Sequence, residues 1–170
     1  MRTALARHLA SLVLPLTAAL IVPAALLRGD GWEQLGNRTT PALLAVGGVL
    51  GLAGLAMLTW TVTLLVRIGR GILAPWSPTR ALVVRGPYAH VRNPMISGVA
   101  CILVGEAVAC ASPPVAAWAA LFVLTNHVYF VLSEEPGLLE RFGAEYEVYR
   151  RNVPRWIPRR RPWRAERSTT

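Results

Sequence analysis

Residues 41–66 read PALLAVGGVLGLAGLAMLTWTVTLLV, from Pro41 onward, with no charged side chain. As a helix this stretch is about 39 Å long, against roughly 30 Å for the hydrocarbon layer of a bilayer. A run of that length predicts a membrane span that tilts or projects. Its glycines Gly47 and Gly51 lie four apart, the spacing that lets helix backbones approach closely. No strand or lysine accompanies them, so a phosphate-binding role is not expected.

Working outward, residues 9–27 form a second uncharged run, about 28 Å as a helix. Arg2, Arg7 and His8 precede it, but it is longer than a usual signal core and lacks a clear small-residue cleavage pattern, so an uncleaved first span is expected. Pro15 and Pro23 inside it are tolerable where a neighbouring helix re-satisfies the backbone. Residues 95–112 and 115–133 are the third and fourth apolar runs, joined by Pro113 and Pro114. The expected fold is therefore an all-α integral membrane domain over residues 1–170, with four transmembrane helices, an interfacial loop 67–93 and a basic cytoplasmic segment 134–170.

Composition agrees. Of 170 residues, 54% are hydrophobic and 16% charged, and the mean hydropathy is +0.42. A soluble chain is usually nearer a quarter charged. Disorder, a disulfide scaffold and a soluble nucleic-acid binder are excluded as classes. Every one of the 18 basic residues is Arg, so no lysine nucleophile is available. The net charge of +9 fits Arg on cytoplasmic flanks beside anionic headgroups rather than nucleic acid. Between spans one and two, Arg28 and Arg38 are balanced by Asp30 and Glu33, and the other Arg lie at the N-terminus, after span two or in the tail. Both termini are thus expected in the cytoplasm, the membrane being the cell inner membrane. Cys101 and Cys110 fall on opposite faces of one helix and can neither pair nor share a metal; no metal site is expected.

The chemistry gathers at two helix ends. Proline disfavours helix in the residue before it and favours the first helical position, so Asn93-Pro94 reads as the start of span three, with Asn93 as side-chain cap. The amides of Met95 and Ile96 then offer an anion site at the cytoplasmic interface. Glu134 and Glu135 follow span four. Adjacent helical residues diverge by about 100°, so one of the pair can face the bundle while the other stays solvated. Asn126, His127, Phe130 and Glu134 share one arc of that helix. Polar groups within a span face the protein interior by default, which draws attention to His127 and to Glu106, either as site groups or as hydrogen-bonded packing. A helix N-terminus beside a carboxylate suits a zwitterion, such as the carboxylate, ammonium and sulfonium of S-adenosylmethionine. NADPH would call for more Arg.

Residues 85–95 (RGPYAHVRNPM), Glu134-Glu135-Pro136, Phe142-Gly143-Ala144-Glu145-Tyr146, Tyr149 and residues 153–158 (VPRWIP) resemble the isoprenylcysteine carboxyl methyltransferase family, its prokaryotic membrane branch most of all. Phospholipid methyltransferases are similar at the glutamate pair. The resemblance implies a membrane enzyme that methylates a lipophilic substrate with S-adenosylmethionine at the cytoplasmic face. It implies cofactor contacts from Arg80, Ala81, Leu82, Val83, Tyr88, Asn93, Pro94, Met95, Ile96, Glu134 and Glu135. Glu134 and His127 are the candidate catalytic groups, Glu134 for the ammonium or as base, His127 as proton acceptor. Asn93 and Ile96 stand where the family has His and Tyr, and Phe130 stands where eukaryotic members carry an Arg for the substrate carboxylate.

A phospholipid N-methyltransferase, an NADPH-dependent membrane reductase of similar architecture and a non-enzymatic membrane scaffold are the alternatives. Trp76, Trp156 and Trp163, with Arg159, Arg160 and Arg161, are expected as interfacial anchors, with a disordered basic tail after Pro162.

Overall fold

A computed structural model describes residues 17–30, 38–68 and 81–164, all of it helix, turn and loop. A π-helical turn, Thr17–Ile21, leads into α1 (Val22–Asp30). The helices that follow are α2 (Pro41–Arg67), α3 (Pro94–Ala109), α4 (Pro113–Tyr129) and α5 (Glu135–Asn152). A second π-helical turn, Phe130–Glu134, joins α4 to α5 without a break. Among the described residues, two helices are long and apolar enough to cross a membrane, Pro41–Arg67 and the run Pro113–Asn152, while Thr17–Gly29 and Pro94–Ala109 are shorter apolar helices. In the longer run the apolar part ends at Leu132. The earlier part of the first expected span lies outside the described residues.

The helix ends follow from local chemistry. Thr40 accepts the Leu43 amide at 3.3 Å and Pro41 opens α2. Ser112 accepts the Val115 amide and Pro113 opens α4. Asn93 departs from expectation: at φ −117°, ψ 54° its side chain makes no capping hydrogen bond. Its carbonyl instead receives both the amide (3.1 Å) and the hydroxyl (2.9 Å) of Ser97.

The core of the bundle is the antiparallel pair α2 and α3. A Cβ on Gly54 would stand 2.5 Å from Gly98 O, and one on Gly105 2.7 Å from Gly47 O, distances no side chain tolerates. Glycines seven apart on each helix, Gly47 with Gly54 and Gly98 with Gly105, therefore interlock backbone against backbone. The expected Gly47–Gly51 pair lines this contact: a Cβ on Gly105 would also stand 2.8 Å from Gly51 N, although a Cβ on Gly48 or on Gly51 itself meets nothing within 4 Å. Val99, Leu103 and Ala119 fill the adjoining core with Ala19.

Pro23 cannot donate a backbone hydrogen bond into the turn ahead of it. The Trp118 indole of α4 donates to Ala18 O at 2.9 Å, so a neighbouring helix does satisfy the first one. Cys101 and Cys110 are both free.

After Asn152 the chain folds back as a strap. Arg92 N donates to Pro154 O (2.9 Å), Arg159 N to His90 O (3.0 Å) and Trp163 N to Ala89 O (2.9 Å). Trp163 packs on Tyr149, ring centroids 5.9 Å apart, in a cluster with Tyr146 and Val153. Trp156 lies against Phe130 and His127. Both rings pack on protein on one side and stay partly exposed. Trp76 lies outside the described residues, as does the tail beyond residue 164.

Candidate active site

The π-helical turn decides how the glutamate pair points. In an α-helix residue i+4 lies over residue i; in a π-turn residue i+5 does. The Glu135 amide donates to Phe130 O, so Glu135 sits over Phe130, and both are buried. Glu135, which a regular helix would let solvent reach, is thereby turned inward and is 8% exposed.

Two arginines meet its carboxylate there. Arg155 of the strap donates from Nε to Oε1 at 2.8 Å and from Nη2 to Oε2 at 2.9 Å, a bidentate fork. Arg92, just ahead of α3, donates from Nη1 to Oε1 at 2.6 Å. A buried carboxylate is tolerable only when charge and lone pairs are both answered, as here. Glu135 therefore ties three segments together: the start of α3, the start of α5 and the strap. The third helix's beginning and the fourth's end, distant in sequence, are neighbours in space.

Glu134 differs. It is half-buried, and no hydrogen bond or ion pair reaches its carboxylate among the described residues. Burial pushes its acid up to about 7, with Glu135 adding to the rise and Arg141 opposing it. The Tyr88 hydroxyl is close enough to feel Glu134; burial first, then Tyr149 and Glu134, keep that phenol protonated well above its ordinary range. Tyr88 is held in the turn Gly86–Ala89, where its carbonyl accepts the Tyr149 hydroxyl at 2.8 Å. Gly86 itself has φ +58°, and a Cβ there would press on Leu64 and Trp60 of α2, so glycine is required at this point.

At the α3 start, Pro94 has no N–H, and no hydrogen bond from the amides of Met95 or Ile96 is seen among the described residues. The side-chain nitrogen Nδ2 of Asn93 is buried with no partner. The unanswered donors follow Arg92 and the unanswered carboxylate precedes Glu135, the two residues joined at 2.6 Å, and such a pairing is what a zwitterionic ligand requires.

His127 is engaged. Trp156 Nε1–H donates to its Nδ1 at 3.0 Å, which places the proton of the neutral ring on Nε2. Asn126 Nδ2 is turned back to Phe122 O at 2.8 Å. Val83 is buried, Leu82 packs against the Tyr146–Tyr149 cluster and Ala81 begins this described segment. Arg80 lies outside the described residues. Glu106 stands apart, about 18 Å along α3 from Pro94, on an apolar groove between the first helix, α2 and α3 of about 520 Å³. Arg92 and Arg155 are the functional residues the sequence reading missed. The Val-Pro-Arg order around Arg155 had been matched, yet nothing local in it says that the guanidinium returns to Glu135.

Two helices of membrane-crossing length and apolarity, with a polar, half-buried cluster at the ends of the apolar runs, have the make-up of a helical membrane protein. Residues 43–145, more than half of the chain, match the model of the phospholipid methyltransferase family. The chain belongs to that family, whose methyl donor is S-adenosylmethionine. Among curated proteins it is similar to methanethiol S-methyltransferase 2 of Bradyrhizobium diazoefficiens, 36% identical over 75 residues, which is 42% of this chain and 27% of that protein. The chain thus matches only about a quarter of that relative's length. No solved structure matches it significantly.

Proposed function

We propose that this chain methylates a lipophilic acceptor lacking a carboxylate, at the cytoplasmic face of the inner membrane, as a relative of the isoprenylcysteine carboxyl methyltransferases within its family. The carrying observation is the division of labour in the glutamate pair. Glu135 is consumed by Arg92 and Arg155, and Glu134 is left free beside the open amides of α3.

The residues present fit the cofactor. The Met95 and Ile96 amides and Asn93 Nδ2 would hold its carboxylate, and Glu134 its ammonium. Ala81, Leu82, Val83 and Tyr88 would border its nucleoside, with Arg80 as a further contact. When bound, S-adenosylmethionine supplies an electrophilic methyl group on a sulfonium. The protein's part is to exclude water, to orient the acceptor and to balance charge. Glu134 serves also as the base for an acceptor proton. His127 can take that role only if Trp156 releases Nδ1, so in this geometry it orients rather than accepts.

Phe130 narrows the acceptor. It is 6% exposed and edge-on to Trp156 at 6.1 Å, an apolar wall where an acid-binding Arg would otherwise stand. A substrate carboxylate would be buried there without a partner, at a cost of several kcal/mol. A neutral thiol has no such penalty, and a phospholipid amine brings no carboxylate to that wall. The resemblance to a methanethiol S-methyltransferase supports a sulfur acceptor, and the family match supports a phospholipid.

Four spans with both ends cytoplasmic complete the reading, which protease protection of the loop between α1 and α2 in right-side-out vesicles would contradict. The activity is tested with purified protein in lipid nanodiscs, methyl-labelled S-adenosylmethionine and three acceptors: an alkyl thiol, phosphatidylethanolamine and a prenylcysteine. Label in thiol or amine products is expected. Label only in the prenylcysteine ester would overturn the acceptor assignment, and failure of folded protein to bind S-adenosylhomocysteine would overturn the activity.

A further inference from the structure

The strap that closes the site also presents an unneutralised basic surface. Arg160, Arg161 and Arg164 are exposed, and no carboxylate pairs with any of them among the described residues, whereas Arg150 and Arg151 are matched by Glu147. Beside them Ile157 is 81% exposed, the most exposed large apolar side chain described. An apolar side chain and three free guanidinium groups in one short segment are poorly suited to bulk water. They suit the boundary between acyl chains and anionic headgroups.

The position of the strap agrees. Arg155 is fixed to Glu135, three residues past the apolar end of α4, and Pro154 O to the Arg92 amide, two residues before α3. Both are ends of apolar helices, so the strap is held level with the membrane surface. It is also the segment that occupies Glu135 and His127.

We infer that residues 157–164 form a docking surface for the anionic phospholipid headgroups of the surrounding bilayer, and that their binding tightens the strap over the site. Each arginine near an anionic surface raises affinity by about fivefold, so three make the strap strongly responsive to lipid charge. Since Ile157 and Arg160 lie within a few residues of Arg155 and Trp156, headgroup binding and the Glu135 clamp are mechanically one event. The inference rests on the membrane placement above and not on methyl transfer.

Hydrogen–deuterium exchange of the full chain reads it directly. The Arg159 and Trp163 amides, bonded to His90 O and Ala89 O, report the closed strap. In nanodiscs containing about one-third phosphatidylglycerol their exchange is expected to be at least fivefold slower than in pure phosphatidylcholine discs. The difference should vanish in the triple variant Arg160→Gln, Arg161→Gln, Arg164→Gln and shrink in Ile157→Ser. Equal exchange in both disc types overturns the inference. So does equal slowing in phosphatidylcholine discs with soluble inorganic phosphate, which would indicate a free-anion site instead. Neither outcome depends on whether the protein binds S-adenosylhomocysteine.

Discussion

Arg155 grips Glu135 through two parallel hydrogen bonds, Nε to Oε1 at 2.8 Å and Nη2 to Oε2 at 2.9 Å, across twenty residues of chain. That fork fixes the strap to the glutamate pair and leaves Glu134 as the carboxylate able to meet a cation. The chemistry proposed for the site depends on this asymmetry between neighbours.

Arg155→Leu should lower unfolding stability by about 3 kcal/mol, because Glu135 would keep only Arg92 in a buried setting. Arg155→Lys should recover part of the loss, since an ammonium cannot form the fork. Thermal unfolding of the two variants in one detergent measures this; a leucine variant as stable as the parent would mean the clamp carries no weight.

Glu134→Gln should fold and yet bind S-adenosylhomocysteine about tenfold to a hundredfold more weakly, the loss of one charge-assisted contact. Calorimetric titration gives the ratio. Glu135→Gln should instead show mainly reduced stability.

Binding should also depend on pH. Burial holds the Glu134 acid near 7, so the cation-pairing carboxylate forms as pH rises through 7 and disappears below it. Affinity should therefore climb between about pH 6 and 8 in the parent and stay flat in Glu134→Gln. Stability runs the other way: an acid raised above its unfolded value near 4.5 lowers folded-state stability as pH rises from there to 7, and that decline too should be absent in the glutamine variant.

Gly54→Ala would place a methyl group 2.5 Å from Gly98 O and should cost about 1–3 kcal/mol by forcing α2 from α3. Gly48→Ala and Gly51→Ala, whose added carbons meet nothing within 4 Å, should be neutral or stabilising by up to about 1 kcal/mol. Unfolding of the three variants side by side separates the interlocked glycines from the idle ones.

Much of this was legible along the chain. Helix positions follow from hydropathy and proline, which act over neighbouring residues: α2 begins at Pro41 and α3 at Pro94 as read, while α4 opens at Pro113, inside the expected connection. Asn93 was misread as a side-chain cap because capping depends on a ψ angle that the following helix imposes. The protein contacts of Trp156 and Trp163 were not legible, because an amphipathic ring suits a headgroup layer or a protein crevice equally well and the path of the strap decides which groups it meets.

Sequence alone determined the apolar helices, their order and the placing of acids and open amides at their ends, because length, charge and proline are local properties with local consequences. Tertiary structure decided which glutamate is spent and which is free. That choice needed a π-turn to rotate Glu135 inward and two arginines, one before α3 and one past α5, to meet it there. A turn's extra residue and a contact across the chain are set by packing energies summed over the whole fold, which no single stretch of residues contains.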